Sequence, residues 1–90
     1  MRIADLLSHG QENAVLLRDL AAMTNTDRRA IRKKIAAERL SGAPILSDNT
    51  TGYFLPGNPG EKERFIRSMR NRAHQIERAA DAVEGAGETE

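Results

Sequence analysis

Apolar side chains recur at helical spacing in four stretches of this chain and alternate along a fifth. Ile3, Leu6 and Leu7 share one face over the first turns of a predicted short helix, which Gly10, following His9, should terminate. Ala14-Val15-Leu16 is too apolar for a loop and too short for a helix, so it reads as a brief strand. Leu17, Leu20, Ala21 and Met23 then return to helical spacing, with Arg18 and Asp19 turned outward. Thr24-Asn25 breaks this second helix, because asparagine tolerates the left-handed geometry of a tight interhelical turn. The next stretch, residues 26–40, reads as one capped helix, with Thr26 as N-cap and Asp27 at the positive end of the helix dipole. Ile31 and Ile35 form its apolar stripe and Leu40 ends it.

Gly42 stops that helix and Pro44 forbids its resumption. Ile45-Leu46 and Tyr53-Phe54-Leu55 flank a cluster of Asp, Asn, Thr and Gly, which is the signature of a hairpin; its alternation places Tyr53 and Leu55 on the inward face. Pro56 closes the second strand. Asn58 as N-cap, Pro59 at the first helical position and Glu61 completing a capping-box-like pair announce a last helix, running to about Val83. Along it Ile66, Met69, Ala73, Ile76, Ala80 and Val83 alternate spacings of three and four, a heptad seam. The predicted fold is mainly α with a small β-hairpin. Residues 1–57 form the domain, 58–84 a long C-terminal helix suited to dimerisation, and 85–90 a frayed tail with nothing to bury.

Composition narrows the class. Ninety residues suit one small domain, and alanine supplies 13 of the hydrophobic positions, so the core is thin and its stability is expected to lean on a partner chain. No cysteine is present, which suits a reducing compartment, and the N-terminal residues lack a signal-peptide core or a membrane span. A cytoplasmic protein with no membrane partner is expected. Charge is the more informative quantity. Residues 27–40 carry a net +4 through Arg28, Arg29, Arg32, Lys33, Lys34 and Arg39, whereas the whole chain carries only +1. Such asymmetry is the electrostatic footprint of a helix that meets a polyanion.

The order helix, short strand, helix, tight turn, basic helix, hairpin, helix resembles a winged helix-turn-helix domain of the biotin-repressor N-terminal type. The residues that carry the resemblance are Leu20-Ala21, Thr26-Asp-Arg-Arg-Ala-Ile-Arg-Lys-Lys-Ile35, Gly42-Ala-Pro-Ile45 and Gly52-Tyr-Phe-Leu55, and the resembling order of elements covers residues 3–56. The long terminal helix also makes the chain look like small prophage-type winged-helix proteins. The resemblance implies a sequence-specific double-stranded DNA-binding protein, a transcriptional or phage-replication regulator. It further implies that the basic helix enters the major groove through Arg28, Arg29, Arg32 and Lys33 with Thr26 at its start, and that the hairpin tip, Asn49, Thr50 and Thr51, touches backbone or minor groove. This chain departs from the pattern in having Asn25 where glycine is more usual, and in a tip that contains Asp48 but no lysine or arginine.

Residue chemistry refines these roles. The planar fork of arginine can bond guanine O6 and N7 together, whereas lysine acts mostly as a charge toward phosphate. Arg28 and Arg29 are therefore the base-reading candidates, Arg32 suits either task, and Lys33 positions. Lys34 and Arg39 lie nearer the buried side and are expected to snorkel. The hairpin has a plainer alternative, in which it only caps the core. The first half of the last helix is expected to cover Ile3, Leu6 and Leu7 through Phe65 and Ile66. Its second half would then be free for a homodimer along the seam that runs from Ile66 to Val83, most simply around Met69, Ala73, Ile76 and Ala80. His9 and His74 are isolated, the serines lie in no nucleophile elbow, and no glycine-rich phosphate loop occurs; no catalysis, metal or cofactor is expected. Two rival readings remain. In one the winged helix and the long helix form a protein-interaction or assembly module; in the other the chain binds structured RNA, a reading weakened by its scarcity of aromatic side chains.

Overall fold

The computed structural model describes residues 1–86. Three α-helices, α1 (Leu17–Thr24), α2 (Arg28–Leu40) and α3 (Pro59–Ala86), combine with an antiparallel hairpin of β1 (Leu46–Asp48) and β2 (Gly52–Phe54). The fold is mainly helical, and α3 is by far its longest element. The segment predicted as a first helix forms instead a single 3-10 turn, Ile3–Leu6, with extended backbone on either side. Four residues between extended flanks cannot repay the nucleation cost of an α-helix. A second 3-10 turn occupies Gln11–Asn13.

The expected strand at residues 14–16 is reduced to one residue. Val15 bridges Tyr53 antiparallel, each amide donating to the other's carbonyl at 2.8 Å. Further upstream, Gly10 N donates to Leu55 O and Leu55 N to Ser8 O. The two upstream segments are thus stitched to β2 and to Leu55 directly after it. Gly52 has a reason to be glycine at this seam: its φ is +107°, and a Cβ there would clash with Val15 O.

Hairpin alternation divides the interior in two. Ile45 joins Ile3, Leu7, Leu20, Ile31, Ile35 and Ala43 in the main core, with Tyr53 and Leu55 half-buried against it. The inward placement of Tyr53 and Leu55 is thereby met, but the other face is not solvent. Leu46 and Phe54, paired across the hairpin, are buried at 2% and 4% exposure. Phe54 shares a groove with Phe65 and Met69 of α3. Contrary to expectation, then, α3 rests on the hairpin and does not cover the N-terminal turn; it approaches β1. Its start matches the sequence signal, with a variation. Asn58 Oδ1 accepts from Glu61 N at 3.0 Å, while the Glu61 carboxylate reaches past the cap to accept Gly57 N at 2.7 Å and Gln11 N at 3.1 Å. The Gly57 amide foremost, and then that of Gln11, hold this carboxyl below its ordinary range. Of the predicted tail, Gly85 and Ala86 belong to α3, and 87–90 lie outside the described residues.

Three further expectations are corrected. Met23 is 57% exposed and Leu40 is 92% exposed, so neither belongs to the core. The position that continues the stripe of Ile31 and Ile35 is Glu38, three residues beyond Ile35, and it is buried. The N-cap of α2 is Asp27, whose Oδ1 accepts from Ala30 N at 2.8 Å, and not Thr26, whose hydroxyl donates to Thr24 O. An ionised acceptor is the stronger cap for the positive helix end.

Asn25 adopts φ 52°, ψ 44°, as a tight interhelical turn requires. Asn25→Gly should therefore leave the melting temperature nearly unchanged, whereas Asn25→Val should cost about 1–2 kcal/mol through its Cβ clash. Equal stability of the two variants in thermal unfolding would contradict this account of the turn.

Candidate nucleic-acid interface

The candidate surface begins with what holds α2 in place. Ile31 and Ile35 anchor its inner face, at 1% and 2% exposure, against Leu20 of α1 and Ile3. Asn25 N donates to Ala22 O and Thr26 N to Ala21 O, which closes α1 within a three-residue turn before α2 begins. Behind α2, Glu38 accepts the Ile3 amide at 2.7 Å and the Ala4 amide at 3.0 Å. The helix is therefore held along its buried face and at its N-terminal end.

Its remaining side is cationic. Arg28, Arg29, Arg32 and Lys33 all lie in the first two turns and all are exposed. Among the described residues the only ion pair is Arg18–Asp19, at 3.9 Å, so no carboxylate neutralises these four side chains. Helical spacing sorts them. Arg29 and Lys33 are four apart and continue through Ala36 to Leu40, forming the stripe opposite the isoleucines, while Arg28 and Arg32 make a parallel row along one flank. Lys34 stays exposed, beside Arg2 and Ser41. Four unneutralised cations on a rigid rod are suited to a polyanion with regularly spaced charges.

The hairpin tip is bonded to itself. Asp48 Oδ1 accepts from Thr50 N, the Thr50 hydroxyl and Thr51 N, so the tip is folded upon its own carboxylate. The Thr50 hydroxyl and these tip amides hold the Asp48 carboxyl below its ordinary range. Thr51 Oγ1 accepts from Gln11 Nε2. Asn49 and Thr50 remain exposed, while Thr51 is half-buried. The tip therefore presents Asn49 chiefly, and its donors are turned inward.

Sequence reasoning underrated Arg39. Its Nε donates to Ile45 O at 2.7 Å, a terminal nitrogen donates to Ser47 Oγ at 3.3 Å, and its guanidinium carbon lies 4.9 Å from the centre of the Phe65 ring. One side chain thus ties α2 to β1 and to α3. Burial pulls its pKa below the ordinary arginine value, with the Tyr53 hydroxyl acting in the opposite sense. Arg39 also lies in a groove of about 290 Å³ between hairpin and α3, whose rim includes Asn49, Arg64, Ser68 and Arg72. The sequence signal for its role is its place four residues after Ile35, beside the buried stripe.

Among the described residues no group of three His, Cys, Asp or Glu side chains could hold a metal ion, and no helix is long and apolar enough to cross a membrane. The proposed α3 seam is exposed: Ile66, Met69, Ile76 and Val83 are 37%, 43%, 63% and 74% exposed, and Ala73 and Ala80 are exposed as well. Comparison with known protein families, with curated proteins and with solved structures finds no match to this chain.

Proposed function

We propose that this chain is a winged helix-turn-helix protein that binds double-stranded DNA sequence-specifically and acts in the cytoplasm as a transcriptional or phage-replication regulator. The observation that carries the reading is the exposed, unneutralised cluster of Arg28, Arg29, Arg32 and Lys33 on the first two turns of α2, the second helix of a pair joined by a three-residue turn. In such a pair those turns deliver side chains to base edges in the major groove. The single-residue bridge from Val15 to Tyr53 supports it further, because it ties the segment before α1 to the hairpin as a third strand of a wing would be tied. Phosphate neutralisation supplies affinity that falls with salt, and arginine forks supply preference among sequences. Binding works by occupation of a site. In this reading two copies, joined through α3, engage two half-sites.

Selection of bound duplexes from a random pool tests the reading. Wild-type protein should enrich a two-part consensus, and a variant with Arg28, Arg29 and Arg32 all replaced by alanine should enrich none. An unchanged consensus from the triple variant would eliminate α2 as the reading element. Failure of the wild type to retain any duplex at low salt would turn attention to a protein partner.

A further inference from the structure

The body of the molecule covers only the start of α3. Glu61 is buried and Phe65 half-buried, but every residue from Ile66 to Ala86 is exposed, although the helix continues without a break. Helices derive most of their stability from packing an apolar face, and this one carries such a face along a length that the described residues leave exposed. Ile66, Ala73 and Ala80 recur every seven residues, as do Met69, Ile76 and Val83, so the two rows make one continuous seam.

We infer that α3 pairs antiparallel with α3 of a second copy, Ile66 facing Val83, Met69 facing Ala80 and Ala73 facing Ile76. This rests on the homodimer of the proposed function and fixes its orientation and register. Side-chain volume is the first argument. In the antiparallel register every alanine meets a larger residue, so the layers are similar in bulk. In a parallel register Ala73 would stack on Ala73 and Ala80 on Ala80, leaving two underfilled layers between bulky ones, and unfilled volume in a helix seam forfeits contact energy. A single register satisfies all three pairings at once. Each contact then occurs twice about a twofold axis between His74 and Gln75, as an isologous interface requires.

Charge is the second, independent argument. Within α3, residues 61–76 carry five basic and two acidic side chains, whereas 77–86 carry one basic and three acidic. A parallel pair would lay like charge against like along its whole length, but an antiparallel pair opposes them. Arg70, Glu77 and Glu84 share one flank of the seam at seven-residue spacing, so Arg70 of each copy comes beside Glu77 of the other. The geometry also bears on DNA. The hairpin sits on α3 near Phe65, whose counterpart across the axis lies about 19 residues along the helix, roughly 28 Å away at 1.5 Å per residue. The two Phe65 positions, where Arg39 ties α2 to α3, are thus separated along the axis by a distance comparable to one turn of the duplex, the spacing of paired half-sites at about 34 Å.

The chain contains no cysteine, so introduced thiols report contacts without interference. Met69→Cys and Ala80→Cys are prepared singly, and the two are unfolded and refolded together before mild oxidation. In the antiparallel dimer two copies of residue 69 lie about 16 Å apart along the helix, beyond the roughly 7 Å limit between Cα atoms for a disulfide. Each variant alone should therefore give little cross-linked product, and the mixture at least tenfold more. Sedimentation equilibrium run alongside should give a dimer mass for the wild type and a monomer mass for Ile76→Asp. Cross-linking of each variant with itself would overturn the orientation while leaving the homodimer intact. A dimer giving no cross-link in any combination would place the interface elsewhere and overturn the register. A wild type that stays monomeric at all concentrations would overturn both the inference and the homodimer on which it rests, whereas loss of DNA binding by an intact antiparallel dimer would count against the proposed function alone.

Discussion

Glu38→Ala should destabilise the domain by about 2–4 kcal/mol, a large share of what so small a core provides. Glu38 is 9% exposed and accepts two backbone amides, Ile3 N and Ala4 N, one with each carboxylate oxygen. Both donors lie in the 3-10 turn whose Ile3 is 1% exposed, so water cannot readily replace the lost acceptors. Leaving a buried donor unpaired costs about 1–3 kcal/mol, which exceeds the gain from an ordinary hydrogen bond. Glu38→Gln discriminates further: its amide offers one acceptor where two are needed and points a donor at the second N–H, so it should recover only part of the loss. Denaturant midpoints measure the stability, and amide exchange at Ile3 and Ala4 localises it. A Glu38→Ala variant as stable as the wild type, with those amides still protected, would show that the N-terminal turn is held by Ile3 packing alone.

The same residue shows how far the sequence could be read. Ile31 and Ile35 announced the inner face of α2, and both are buried. The stripe continues by helical spacing to Glu38, but hydrophobicity alone directed attention to Leu40, which points the other way and is 92% exposed. A carboxylate earns a buried position only when donors come to it, and those donors, 34 and 35 residues upstream, have no signature in a one-dimensional pattern. The cap of α2 failed more narrowly. Thr26 and Asp27 are both competent caps, and the choice turned on the left-handed Asn25 setting where the helix could begin. Local signals without a competitor were read correctly: Asn25 as the breaker, Gly42 and Pro44 as the stop, and Asn58-Pro59 as a start. The docking of α3 was misplaced for a tertiary reason. Ile3 and Leu7 are covered by Ile31, Ile35 and Leu20, and the uncovered apolar surface is Leu46 and Phe54 on the hairpin. Phe65 goes there, with Arg39 over its ring.

Arg29→Ala should weaken binding to the preferred duplex by about 1–3 kcal/mol and relax preference at one base pair, whereas Lys33→Ala should weaken all duplexes alike and lower the salt slope by about one unit. The contrast rests on chemistry and position together. Arg29 lies in the first turn of α2, on the stripe opposite Ile31 and Ile35, with no carboxylate partner among the described residues to be stripped away on binding. Its fork can accept no substitute from lysine without losing the second bond to guanine, so Arg29→Lys should keep the salt dependence and lose the discrimination. Lys33 sits on the same stripe one turn further on, as a flexible point charge. Arg28 and Arg32, on the flank, should divide between these behaviours according to which of them reaches a base edge. The internal bonding of the hairpin tip sets a limit on what it adds: with Asp48 holding the Thr50 and Thr51 amides, Asn49→Ala should change affinity less than either α2 substitution. Titrations of matched and mismatched duplexes across a salt series separate these outcomes. Equal losses on every sequence from Arg29→Ala and Lys33→Ala would reduce α2 to a phosphate-binding surface and leave the specificity of the chain to be sought elsewhere.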